Sequence, residues 1–140
     1  MQRALAVGLV MIWAGMATAQ EAPPEPPMDL GRMAEIVAAL DPEARVQCTA
    51  MQLTIDDVPV LIVTDPIADR MRAMVPIRSA DGIEPDEMRR LMQANFDSAL
   101  DARYAVANGR LWGVFIHPLA ALERDQLISG IAQTVNIAKT

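Results

Sequence analysis

Cysteine, histidine and lysine each occur once in this 140-residue chain, and aromatic residues make up 4% of it. Each shortage excludes something. The lone Cys48 rules out an internal disulfide, so the fold depends on its hydrophobic core. The lone His117 rules out a histidine-rich metal site, and no second cysteine exists to help complete a zinc site. None of Ser79, Ser98 and Ser129 stands in the G-x-S-x-G setting of a nucleophile elbow, and no glycine-rich phosphate loop is present. Positive charge is also scarce: 12 Lys and Arg face 18 Asp and Glu. Such a balance gives no electrostatic reason to bind nucleic acid or anionic lipid.

What is present begins with an export pattern. Arg3 supplies a positive start, Ala4 to Gly15 form an uncharged apolar run, and Ala17-Thr18-Ala19 offers small residues to a signal peptidase. The spacing predicts a signal peptide over 1–19, cleaved between Ala19 and Gln20. The predicted product is periplasmic or secreted. The run is shorter than the roughly 20 apolar residues that span a bilayer, so no membrane span is expected after cleavage. Residues 20–28 hold four prolines within five positions from Pro23, which reads as an extended linker. From Gln20 onward, eleven basic side chains oppose eighteen acidic ones, a net −7.

Residues 29–140 have the size of one domain. Leu30, Met33, Ile36, Val37 and Leu40 recur at helical spacing behind the candidate N-cap Asp29, and Asp41-Pro42 ends that helix. Three strands are expected next: Met51–Ile55, Val58–Val63 and Arg70–Arg78. Pro85 and the acidic Asp86-Glu87 open a second helix reaching about Leu100, with Met88, Leu91, Met92, Phe96 and Ala99 as its apolar stripe. Strands at Ala102–Ala107 and Leu111–His117 flank Asn108-Gly109, a strong signal for a two-residue hairpin turn. A last helix runs from about Glu123 to Ala138.

The expected fold is therefore α+β, a five-stranded antiparallel sheet with three helices in the order α-β-β-β-α-β-β-α. Leu111–Ile116 is apolar at every position, which predicts cover on both faces or a central place in the sheet. Either helices cover both faces in part or a second copy covers the rest. Unpaired cysteines are among the most buried residues, so Cys48 is expected in the core, with an intermolecular bridge as the alternative.

This order of elements, with Leu53-Thr54-Ile55-Asp56-Asp57-Val58-Pro59-Val60-Leu61-Ile62 in the first hairpin, resembles the type III secretion chaperone-like fold. That group includes the CesT/Tir chaperones and YbjN-type proteins. The run from Asn95-Phe96 through Ala102-Arg103-Tyr104 and Gly109-Arg110-Leu111-Trp112 to His117-Pro118-Leu119 is similar to the later half of the same fold. The resemblance implies a small, often homodimeric protein that binds other polypeptides and carries no catalytic, metal or cofactor residues. Type III chaperones work in the cytosol, whereas this chain carries an export pattern, so fold and cargo role separate.

The expected function is that of an exported, non-enzymatic, protein-binding module of the bacterial cell envelope. Arg70, Arg72 and Arg78 alternate along one strand, and with Arg103 and Trp112 they form the candidate partner surface. Met71, Met74, Met88 and Met92 suit either core filling or an adaptable surface. One alternative is a small-ligand carrier with a pocket between sheet and helices near Trp112 and Tyr104. Another is a hydrolase that uses Cys48 or Ser79 with His117.

Overall fold

A computed structural model describes residues 23–140. The predicted signal peptide and its cleavage site lie outside the described residues. The elements are α1 (Leu30–Leu40), β1 (Arg45–Gln47), β2 (Ala50–Ile55), β3 (Val58–Asp65), β4 (Arg70–Ser79), α2 (Pro85–Asp97), β5 (Arg103–Ala107), β6 (Arg110–His117) and α3 (Arg124–Ala138). All strand pairs are antiparallel, in the order β1-β2-β3-β4-β6-β5.

The sheet thus has six strands, not five. The additional β1 is three residues long and exposed throughout. So short a run shows no alternation, and its turn into β2 lacks glycine or asparagine. Cys48 occupies that turn with φ 49° and is exposed, contrary to the expected core position. Among the described residues nothing packs over this hairpin at the sheet edge, so a small thiol there has no interior to enter. The Asn108-Gly109 turn between β5 and β6 has positive φ at both residues, as its composition predicts.

Helices α1 and α3 lie on one face of the sheet. Met33, Ile36 and Val37 of α1 and Leu127, Ile131 and Val135 of α3 join Met51, Leu53, Val60, Ile62, Met71, Ala73, Val75 and Phe115 in a single core. Asp29 caps α1 by accepting the Arg32 N–H at 2.8 Å, and Glu123 and Gln126 form a reciprocal capping box on α3. Close approach of α3 to β6 depends on glycine. A Cβ at Gly130 would lie 2.5 Å from the Phe115 ring, and one at Gly113 would lie 3.0 Å from Ile137.

The described part of the proline-rich segment, residues 23–28, has no regular structure but is tied to the domain. Met28 is buried and donates its N–H to the Ala120 carbonyl, while the Glu25 carboxylate accepts from Arg124 N–H and pairs with Arg32. No helix among the described residues is long and apolar enough to cross a membrane.

Candidate functional site

No helix of the described residues covers the second face of the sheet. On β6, Leu111, Gly113 and Phe115 are buried under α3, whereas Trp112 and Val114 are half-buried and Ile116 is 53% exposed. The all-apolar β6 is an interior strand, paired with β4 on one side and β5 on the other, but helices of the described residues cover only one of its faces. Its second side is open apolar surface. Opposed residues across a ladder share a face, so register extends that surface: Leu61 pairs with Met74, Met74 with Val114, Val63 with Arg72, and Arg72 with Ile116.

A groove of about 620 Å³ runs along one end of this face, lined by the acidic Asp41 and Glu43 as well as Arg45, Pro59, Leu61, Pro76 and Trp112, among others. Its origin is in the sequence. The β3–β4 ladder stops at Leu61–Met74, just before Pro59 and Pro76, neither of which has an N–H to donate.

Four of the five anticipated residues share the open face, though only Trp112 lines the groove. Arg70 and Arg72 stand on the open face of β4, Arg103 faces Val114 from β5, and Trp112 stands opposite Pro76 with its Nε1–H donated to the Ala107 carbonyl at 3.0 Å. Arg78 does not join them. A bulge at Ile77 shifts the register, so Arg78 opposes the buried Leu111 on the helix side and pairs with Glu87 of α2. Strict alternation from Arg70 cannot anticipate that shift. Arg45 and Arg110 belong to the open face by register and escaped the sequence analysis. Counting back by twos from Trp112 would have found Arg110; Arg45 sits on a strand too short to read.

The remaining chemistry is dispersed. Ser79 lies at the opposite end of β4 from Met71, the register partner of His117, about 26 Å away by strand rise. The Ser79 hydroxyl accepts the Asp81 N–H at 3.1 Å. Cys48 adjoins the β1–β2 turn, at least three inter-strand spacings, or about 14 Å, from β6. His117 stacks on Phe115 with centroids 5.9 Å apart, and its Nδ1 lies 2.8 Å from the Pro118 carbonyl. Neither nucleophile reaches the histidine. Among the described residues, no group of three or more His, Cys, Asp or Glu could hold a metal ion. Tyr104 and Trp112 stand on opposite faces, since Tyr104 opposes Gly113 and donates its hydroxyl to the Ile137 carbonyl at 3.0 Å. They cannot line one pocket between sheet and helices.

A second exposed apolar region lies on α2. This helix has no buried residue, and Met92, Phe96 (89% exposed) and the following Leu100 all face solvent. It is held beside β5 through Asn95, whose side chain accepts the Tyr104 N–H at 2.6 Å and donates to the Tyr104 carbonyl at 3.1 Å. The amide thereby occupies backbone groups that an edge strand would otherwise expose.

No protein-family model matches the sequence, and no curated protein matches it. Solved structures do. The chain is similar to one in the heterodimeric ExoU–SpcU complex from the type III secretion system of Pseudomonas aeruginosa (14% identity, 75% of this chain and 90% of that chain, TM-score 0.59). It is similar to one in the complex of the Yersinia pestis type III secretion chaperone SycH with a stable fragment of YscM2 (15% identity, 75% and 95%, TM-score 0.56). A chain of the ExsC–ExsE complex matches at 17% identity over 80% of this chain and 92% of that chain, TM-score 0.56. At these identities the likeness concerns architecture: the chain has the fold of the type III secretion chaperones.

Proposed function

We propose that this protein is an exported, non-enzymatic, chaperone-like module of the bacterial cell envelope. In this reading it binds a polypeptide on the open face of its sheet and works as a homodimer. The carrying observation is that open face, where Leu61, Val63, Met74, Val114 and Ile116 stand in register without a covering element among the described residues. Solved relatives of the fold are held in complexes with other polypeptides, which supports a polypeptide rather than a metabolite as ligand. The dispersal of Cys48, Ser79 and His117 supports a binding role over a hydrolytic one. Export rests on the Arg3 to Ala19 pattern, and the dimer on the uncovered apolar side of α2.

Site-specific photo-cross-linking in intact cells tests the reading. A photoreactive residue at Ile116 should yield adducts with another polypeptide in the envelope fraction. The same residue at Glu35, exposed on α1, should yield none. The recovered protein should begin at Gln20. Equal labelling from both positions, or a retained N-terminus in the cytosol, would sink it.

A further inference from the structure

We infer that the open face takes an acidic segment of its partner, one whose carboxylates meet Arg45 and Arg103 while its apolar side chains lie on Leu61, Met74 and Val114. This rests on the polypeptide-binding reading above and adds the chemistry of the ligand.

Ion pairing divides the basic side chains of the described residues by location. Arg32, Arg78, Arg89, Arg124 and Lys139 each meet a carboxylate, and none of them projects from the open face. Arg45, Arg70, Arg72, Arg103 and Arg110 project from the open face by register, and none forms an ion pair among the described residues, although one amino group of Arg103 donates to the Leu100 and Ala102 carbonyls and one of Arg70 to the Asp69 carbonyl. Among the described residues, Arg90 on α2 is the remaining arginine without an ion pair. The chain has eighteen carboxylates, and Asp65 is the only one on a strand residue of that face; Asp41 and Glu43 approach Arg45 from the α1–β1 connection, and Asp101 and Asp125 line a hollow with Arg103, but none of these pairs with an arginine of the face. Asp65 is already engaged, accepting the N–H groups of Ile67 and Ala68. Arginines without an ion pair thus flank the uncovered apolar residues of the open face.

That combination selects a ligand. An apolar segment alone would bury the strands but crowd five hydrated guanidinium groups at its margins. A segment with carboxylates placed beside them gains charge-assisted, forked hydrogen bonds in surroundings its own apolar residues help to dry. The aliphatic stems of the arginines add apolar contact under the charged heads. Register supplies a length. Arg45, Gln52, Leu61, Met74, Val114 and Arg103 form one row across six strands, so its basic ends stand about 24 Å apart. An extended chain covers that distance in about seven residues. The ligand therefore carries apolar residues between acidic ones at roughly that separation.

Fluorescence anisotropy with three labelled octapeptides tests the inference. The first has glutamate at both ends and alternating leucine and threonine between; the second has lysine at both ends; the third keeps the glutamates but replaces leucine with serine. The first should bind best, and its affinity should fall as salt rises. Arg45→Gln and Arg103→Gln should each weaken it roughly tenfold. Arg90→Gln should leave it unchanged, and circular dichroism should show all three variants folded. Equal binding of the lysine-ended and glutamate-ended peptides would overturn carboxylate recognition yet leave polypeptide binding standing. Failure of all three peptides to bind would overturn both readings, and uptake by phosphatidylglycerol vesicles in that case would assign the face to lipid.

Discussion

Gly130 sits in the middle of α3, where helix propensity alone favours alanine by about 1 kcal/mol. Tertiary contact reverses that preference, because the added Cβ would meet Cδ1 and Cε1 of Phe115 at 2.5 Å, and a core ring cannot swing aside as a long side chain can. Overpacking of a filled core costs about 1–3 kcal/mol, so Gly130→Ala should destabilise the protein on balance. Urea denaturation should show a lower midpoint with an unchanged slope; a midpoint equal to or above wild type would refute the contact. From the sequence Gly130 is only a weak point in a helix. It is the close approach of α3 to β6 that gives it a purpose. The same contrast holds for Cys48, whose type favours burial but whose position in an edge turn exposes it.

Among the elements, the end of the proline-rich segment behaves as a strap. The Arg124 N–H at the start of α3 and then the Arg32 guanidinium hold the Glu25 carboxyl below its ordinary value of 4.5. A lowered folded-state pKa means the contribution is complete above the unfolded value and is lost as pH falls through the folded one. The melting temperature of the wild type should therefore fall more steeply than that of Glu25→Gln on acidification below 4.5. Parallel pH profiles would mean the strap adds nothing to stability. The elements also mark where patterns in the sequence suffice. Alternation and helical spacing located α1, α3, β2, β3, β4 and β6, because each buries one face against the core, while the Pro85-Asp86-Glu87 start and the Asn108-Gly109 turn marked α2 and β5, which bury no residue. They failed for β1, which buries nothing, and for Arg78, where the bulge at Ile77 shifts the register.

For the whole molecule, the distribution of cover matters more than any single residue. Helices α1 and α3 occupy one face of the sheet, and α2 guards the β5 edge while its own apolar side stays exposed. A second copy placed on α2 would cover Met92, Phe96 and Leu100. Because Phe96 touches little within its own protomer, Phe96→Asp should leave the fold intact and convert a dimer to a monomer. Light scattering should give twice the chain mass for wild type and one chain mass for the variant, with matching circular dichroism. A monomeric wild type would exclude the dimer.

By itself the sequence determined the α+β class, the order of all but one element, the hairpin at Asn108-Gly109 and the lack of a second cysteine or histidine. These follow from local spacing and from residue types that are simply missing. It also brought Arg70, Arg72, Arg103 and Trp112 forward as a surface. Only the tertiary structure decided that Arg78 leaves that surface, that Arg45 and Arg110 join it, and that the apolar β6 is open on one side. Those facts depend on register, on a bulge and on where helices land, which are relations between segments distant in the chain. Cysteine scarcity, in turn, left one thiol, and its exposure was likewise settled by the position of a turn at the sheet edge.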